Sequence, residues 1–241
     1  MRTISIVSLF TLVACTGQPA HSDLPSPEKD TIPAKQLPDC FTLYEDLFHS
    51  ESVISNGDSC LVEIFRPGVL HVTSGRVVVG DPVMLHHLEP IAARFPVGDF
   101  LPEVVRLRKP PSDWPVNALI RVRFSDHQPQ RWKYAVSDST LMDSADVHRK
   151  GFYGFGVDAG SALLYDAQYQ ESLVNMDWNV LWADSIRVRP KFIAFSTGHG
   201  DGRYPAYVGF DSTGAPCQLI VDFLLVECTC TPRSDAPDKN E

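Results

Sequence analysis

The sequence predicts a β-rich α+β fold, a single domain of short, mostly antiparallel strands with one or two helices. Short apolar runs recur along the chain, turn residues such as glycine, proline and aspartate separate them, and two stretches place apolar residues at helical spacing. Short strands with few helices between them are typical of a β-rich α+β domain.

Strands account for most of the first half of the chain. A short helix is predicted at 42–49, and Pro67-Gly68 predicts a turn between two strands. Residues 120–124 alternate apolar and polar side chains, which indicates a half-buried strand. The strands predicted in this half cover residues 61–65, 69–73, 76–80, 103–108, 118–124 and 131–136.

The second half contains the better helix candidate, at about 167–182. Leu173, Met176, Val180 and Leu181 recur there at helical spacing. The strands predicted around this helix cover residues 154–157, 162–165 and 191–196.

The chain ends in a predicted hairpin. Residues 204–210 and 218–226 have strand character, and Asp211-Ser212-Thr213-Gly214 lies between them. A four-residue connection with aspartate first and glycine last is typical of a type I turn.

The N-terminus has the layout of a bacterial lipoprotein export signal. Arg2 precedes an apolar run at 4–14, which is too short to cross a bilayer that needs ~20 residues. The run ends in Leu-Val-Ala-Cys, which resembles the lipobox, where cysteine receives a lipid and cleavage occurs just before it. We therefore expect removal of residues 1–14 and anchoring of the chain in a membrane through a lipid on Cys15.

The residues after Cys15 refine this expectation. The expected location of the anchored chain is the bacterial cell envelope. Thr16 stands where many Gram-negative inner-membrane lipoproteins have aspartate, which favours the outer membrane in a Gram-negative host. Residues 15–38 are rich in proline and predict a disordered tether. Residues 39–230 are expected to form the globular domain, and 231–241 a disordered tail.

The charge balance argues against nucleic acid as a partner. The chain has 21 basic and 30 acidic residues, and loss of Arg2 with the signal changes the formal net charge from −9 to −10. Such a balance repels nucleic acid. The membrane is the expected partner through the lipid anchor, and a protein partner stays open.

Five cysteines remain once the first is lipidated, and an exported chain favours disulfides. Cys40 with Cys60 is one predicted pair. Cys217 with Cys228 or Cys230, across the last hairpin, is the second. The odd number leaves one thiol over.

The loop 197–203 is the densest group of candidate functional residues. Three glycines in five positions let the backbone adopt positive φ and point amides inward. One interpretation is a cradle for an anion or ligand, with His199 or Asp201 acting. The other is a tight strand connection in which Asp201 caps its own turn amides.

A second hypothesis is a carboxylate cluster. Asp158 and Asp166 flank a short hairpin-like segment and would be joined by Asp201, Asp81 and Asp222. Oxygen ligands of this kind suit Ca²⁺ or Mg²⁺, and paired carboxylates suit acid/base hydrolysis. No cofactor is otherwise evident and no catalytic residue is assigned, because turn and capping roles explain each aspartate singly.

His86 and His87, with Glu89, suggest a zinc site. Adjacent residues of an extended segment point to opposite sides, so at most one of the two histidines would face a common site. Surface histidines are the favoured interpretation.

The segment 198–211 resembles the signature of an uncharacterised bacterial family, domain of unknown function 4241. In that family Gly-Asp-Gly-x-Tyr-Pro leads into a strand ending Gly-x-Asp, then x-x-Gly and a late Asp-Phe, which is Asp222-Phe223 here. Further matches in the expected order are Ser74-Gly75, Gly80-Asp81-Pro82, residues 95–100, residues 132–135, Asp158-Ala159-Gly160 and Tyr165-Asp166. The resemblance covers about 60–226 and implies a shared fold without an established activity.

These observations favour a membrane-tethered, ligand- or protein-binding domain of the cell envelope. The alternative is a metal-assisted hydrolase that uses Asp158, Asp166 and Asp201. Carboxylates that converge in a cleft would support the alternative, whereas carboxylates bound to backbone amides would contradict it.

Overall fold

The computed structural model describes residues 40–112, 114–138, 152–176 and 186–227. The predicted signal peptide, the lipidation site Cys15, the tether and the tail 231–241 lie outside these ranges. Among the described residues, no helix is long and apolar enough to span a membrane.

Strands dominate the described residues. The helical elements are α1 (Phe41–Leu47), α2 (Gln170–Val174) and two 3-10 helices, Pro82–His87 and Ala167–Tyr169. The strands are β1 (Ser52–Ser55), β2 (Asp58–Phe65), β3 (Leu70–Val72), β4 (Val77–Gly80), β5 (Gly98–Phe100), β6 (Glu103–Arg108), β7 (Val116–Arg123), β8 (Arg131–Tyr134), β9 (Phe155–Val157), β10 (Ser161–Asp166), β11 (Ile186–Arg189), β12 (Phe192–Ser196), β13 (Gly202–Tyr204), β14 (Ala206–Phe210) and β15 (Pro216–Asp222).

The strands pair in antiparallel fashion into two main sheets. The larger sheet has the order β1-β2-β6-β7-β15-β14-β8, and the second has the order β11-β12-β10-β4. Two small pairs, β13-β9 and β3-β5, complete the pattern. The predicted strand-rich, antiparallel character with few helices is confirmed.

Side-chain alternation along the strands creates the central core. Leu219 and Val221 of β15 point to one face of the larger sheet, and Leu164 of β10 and Ile193 of β12 meet them from the second sheet. A residue between them, Ile220, points to the opposite face. The period of two therefore lets each sheet bury both of its faces.

Helical segments cover the outer faces. Tyr44 and Leu47 of α1 pack on the larger sheet in one cluster of buried residues. Leu173 of α2 and Leu85 of the first 3-10 helix pack on Leu163 of the second sheet. The order of layers is thus α1, larger sheet, second sheet, and α2 with the 82–87 helix.

Polar contacts attach α1 to the larger sheet. The Arg121 side chain of β7 is only 2% exposed, and its guanidinium donates to Glu45 of α1 and to Glu103 of β6, both at 2.6 Å. The same guanidinium lies 3.4 Å from the centre of the Phe48 ring. The buried positive charge is therefore matched by two carboxylates and an aromatic face.

Two predicted elements differ from the observed ones. The helix predicted at 167–182 starts as a 3-10 helix and continues as α2, while residues 177–185 lie outside the described part. The strand predicted at 204–210 is interrupted at Pro205, which has no N–H for a ladder. Tyr204 is the last residue of β13 and Ala206 is the first residue of β14, and these two strands belong to different sheets.

Both predicted disulfide pairings are wrong. Cys40 is disulfide-bonded, but Cys60 and Cys217 are buried free thiols. Cys217 lies on β15, and its thiol approaches a carbonyl oxygen of β14 at 3.5 Å. Cys217 lies near the start of β15, whereas Cys228 and Cys230 come in sequence after its end, so the strand itself separates Cys217 from the predicted partners. The partner of Cys40 lies outside the described residues.

Candidate functional site

Asp166 joins three backbone segments at the end of β10. Its carboxylate is fully buried and accepts N–H groups from Thr73 and Ser74 at 2.9 Å. It also accepts the N–H of Gln168 at 3.0 Å and so caps the 3-10 helix that follows. The carboxylate oxygens are therefore engaged by the protein's own amides.

Asp81 has a comparable role after β4. One carboxylate oxygen caps the 82–87 helix by accepting the N–H of Val83 at 2.6 Å. The other accepts the N–H groups of Asp158 and Ala159, which lie in the turn between β9 and β10. Asp81 is completely buried, so its carboxylate holds this turn from the interior of the protein.

The glycine-rich loop 197–203 is bound to the same turn. Asp201 accepts the N–H of Gly160 at 2.9 Å, so the amide that it satisfies belongs to the facing loop and not to its own turn. The hydroxyls of Thr197 and Tyr204 both donate to the carbonyl oxygen of Gly200, whose φ is +86°. This positive φ is a conformation that glycine adopts without strain.

The four candidate residues do not form one site. Asp158, His199 and Asp201 are exposed on the two facing loops. Asp166 lies at the other end of β10, five positions from Ser161, which is ~17 Å along a strand. Among the described residues, no group of three or more His, Cys, Asp or Glu side chains is arranged to hold a metal ion.

Two further aspartates of the family pattern, Asp211 and Asp222, also accept backbone N–H groups. Asp211 accepts the N–H groups of Thr213 and Ala215, and the Thr213 hydroxyl together with His127 holds the pKa of Asp211 well below its usual range. Asp222 accepts the Tyr44 hydroxyl at 2.6 Å and an N–H two residues on. Burial raises the pKa of Asp222 to about 6.

A cleft of about 320 Å³ lies elsewhere on the domain. Four segments form it: β4, the chain after the 82–87 helix, the chain after β8, and the chain that enters β9. Its apolar walls are Val79, Leu88, Ile91 and Ala135.

Polar and aromatic groups complete the cleft. They are His87, Glu89, Ser137, Tyr153 and Phe155. Small-molecule sites combine apolar and aromatic side chains with a few polar groups that fix the orientation of the ligand.

Contacts behind the lining hold the two rings in place. The Tyr153 ring lies 6.2 Å from Tyr134 and the Phe155 ring 6.4 Å from Tyr204, measured between centroids. Tyr134 and Tyr204 are themselves buried in the cores on either side of the larger sheet. The two rings are therefore packed against buried tyrosines.

The sequence suggests a zinc site with His87 and Glu89, whereas the structure places both residues in the lining of the cleft. Their spacing of two was the available signal, because alternate residues of an extended segment share a side. Leu88 between them is extended, with φ −72° and ψ 133°. Ser137, Tyr153 and Phe155 come from distant segments, and nothing in their local sequence indicates that they meet.

Comparison with known proteins identifies the family. The model of the family described as "Protein of unknown function (DUF4241)" matches residues 70–187 and 177–221. No curated protein and no solved structure matches the chain. The matched residues make up more than half of the 241-residue chain and include the glycine-rich loop, Asp81, Asp166 and Asp211. The chain therefore belongs to the DUF4241 family.

Proposed function

We propose that this protein is a membrane-tethered binding domain of the bacterial cell envelope, and that it takes a small ligand in the cleft. The cleft volume of about 320 Å³ is the observation on which the proposal rests, together with a lining that is partly apolar and partly polar. Sites for small molecules start at roughly 300 Å³ and combine apolar and aromatic side chains with a few polar groups.

The carboxylates of the family pattern support binding over hydrolysis. Acid/base or metal-assisted hydrolysis would use Asp158, Asp166 and Asp201 at one centre. Asp166 and Asp201 instead accept N–H groups from separate backbone segments. Asp166 and Asp201 thus act as structural acceptors that hold loops together.

The membrane address is the second part of the proposal. It is supported by the signal-like residues 4–14 and by Cys15 at the expected cleavage point. Cys15→Ser is expected to move the protein from the membrane fraction of expressing cells to the soluble fraction, since the lipid can no longer be attached. Equal membrane retention of the variant and the native chain would contradict the lipid anchor.

Ligand binding is tested by filling the cleft. The test protein is the lipid-free mature chain, residues 15–241 with Cys15→Ser, and the probes are benzyl alcohol, benzylamine and benzoate. We expect at least one probe to raise the Tm, and Ser137→Phe to abolish this rise because the new ring occupies the cleft. Ser59→Phe, the same change on the exposed surface of β2, is the matched control and should leave the rise intact.

Two results would overturn the proposed binding function. One is a native protein whose Tm none of the probes shifts up to millimolar concentration. The other is a shift that Ser137→Phe and Ser59→Phe leave equally large.

A further inference from the structure

We infer that a disulfide between Cys40 and Cys228 joins the start of the domain to its end. This inference goes beyond the proposed function, because it concerns a covalent bond and not the ligand of the cleft. Cys40 is disulfide-bonded and only 1% exposed, and Cys60 and Cys217 are buried free thiols. The partner of Cys40 is therefore one of the remaining cysteines: Cys15, Cys228 or Cys230.

The proposed lipid anchor argues against Cys15 as the partner. The lipid is attached to the sulfur of Cys15, so no thiol is left there for a disulfide. The choice then lies between the two cysteines that follow the last strand, Cys228 and Cys230.

The packing of α1 places Cys40 at the end of the larger sheet. Cys40 is the residue before α1, and its carbonyl oxygen accepts the N–H of Tyr44 at 2.9 Å. The Tyr44 hydroxyl donates to Asp222, the last residue of β15, at 2.6 Å. Cys40, Leu225 and Val226 belong to one cluster of buried residues. The start of α1 therefore packs where the chain leaves β15.

Chain length favours Cys228 over Cys230. Each residue advances an extended chain by at most ~3.6 Å, so the Cα of Cys228 lies within about 7 Å of the Cα of Val226. The two Cα atoms of a disulfide are about 4.4–6.8 Å apart. Cys228 reaches the cluster that contains Cys40 directly from Val226, whereas Cys230 requires the chain to turn back first.

Formation of this bond is a two-electron oxidation. The two thiols lose two electrons and two protons, which reduce the disulfide of a thiol oxidant to two thiols. Compartments outside the cytosol supply such oxidants, so the bond is compatible with the export that the N-terminal sequence predicts.

The bond has a mechanical role at the point where the predicted tether joins the domain. Helix α1 has seven residues, and a helix of this length is not stable by itself in water. Cys40 lies between the predicted tether and α1, so a pull through a membrane anchor reaches the disulfide before it reaches the helix. The disulfide thus protects the packing of α1.

Differential alkylation identifies the partner of Cys40. Residues 15–241, secreted without lipid so that Cys15 stays a thiol, are unfolded with N-ethylmaleimide present, then reduced and treated with iodoacetamide. Fragment mass spectra should place the iodoacetamide label on Cys40 and Cys228, and the maleimide on every other cysteine. Iodoacetamide on Cys15 or Cys230 in place of Cys228 would overturn the inference.

Thermal unfolding tests the mechanical role in the lipid-free mature chain. Cys40→Ser and Cys228→Ser should each lower the Tm by about 5–15 °C, because a disulfide that closes a long loop restricts the unfolded chain. Dithiothreitol should cause a similar loss in the native chain and none in these variants. Cys230→Ser is the matched control and should change the Tm by less than about 1 °C.

Two thermal results would contradict the inference. One is a Cys40→Ser variant that unfolds at the Tm of the oxidised native chain. The other is a Cys230→Ser variant that loses as much as Cys228→Ser.

Discussion

Asp166→Ala is expected to lower the free energy of unfolding by about 3–5 kcal/mol. The carboxylate accepts three backbone N–H groups, from Thr73, Ser74 and Gln168, at a position with no exposed surface. Each donor left unsatisfied away from water costs about 1–3 kcal/mol, and partial relaxation reduces the total. The same substitution removes the cap of the 3-10 helix at 167–169.

Urea or guanidinium denaturation measures this loss. Asp158→Ala is the matched control, because Asp158 belongs to the same family pattern but is exposed, and we expect its effect to stay within about 0.5 kcal/mol. Asp166→Asn keeps one acceptor oxygen and should fall between the native protein and Asp166→Ala. An Asp166→Ala variant as stable as the native protein would show that the carboxylate does not hold these segments.

Arg121→Met is expected to lower the free energy of unfolding by a similar amount, about 3–5 kcal/mol. Methionine fills much of the volume of arginine but leaves Glu45 and Glu103 without their common partner. Removing one member of a buried charge network is costly because the remaining charges stay desolvated. The loss should also weaken the attachment of α1, since Phe48 stacks on the same guanidinium.

The pH dependence of this variant provides a second readout. Burial of Glu103 opposes its ionisation, but hydrogen bonds from Arg121 and Arg66 outweigh burial and hold the pKa of Glu103 below its usual value. A carboxyl whose pKa is lower in the folded state stabilises the fold above the usual glutamate pKa of about 4.3. This stabilisation is lost as the pH falls through the folded-state pKa. The difference in the free energy of unfolding between the native protein and Arg121→Met should therefore become smaller as the pH falls.

Arg123 is a matched control that distinguishes the effect of a buried charge network from the effect of losing one positive charge. Arg123 contacts Glu45 at 3.4 Å from a side chain that is 45% exposed, so Arg123→Met should cost less than about 1 kcal/mol. Equal losses for Arg121→Met and Arg123→Met would mean that the buried network adds nothing beyond surface charge pairing.

Most of the strands could be predicted because their side chains alternate or form short apolar runs. β6, β7, β12 and β15 have this character, and the turn between β14 and β15 follows the residue preferences of its type. β1 and β5 have four and three residues, which is too short for a period to emerge. The break at Pro205 could not be predicted from the local sequence, because it depends on β13 and β14 belonging to different sheets.

The candidate site was harder to predict than the fold. Aspartates next to glycines suggest a metal or catalytic cluster and a backbone-binding role equally well, and only the partners of Asp81, Asp166 and Asp201 decide between them. The cleft depends on contacts between residues far apart in sequence, such as the bridge between Ile91 and Ser137. Local periodicity contains no information about such contacts.

The location of ligand binding tests the account most directly, and amide chemical shifts measure it. In a titration of the ¹⁵N-labelled, lipid-free mature chain with the probe that raises the Tm most, we expect the largest shifts on the amides of Ile91, Ala135 and Ser137 around the cleft. The chemical shifts of the Gly160 and Gly200 amides in the facing loops should not change. Saturable shifts centred on those two glycines, with the cleft unchanged, would contradict the account and move the site to the glycine-rich loop.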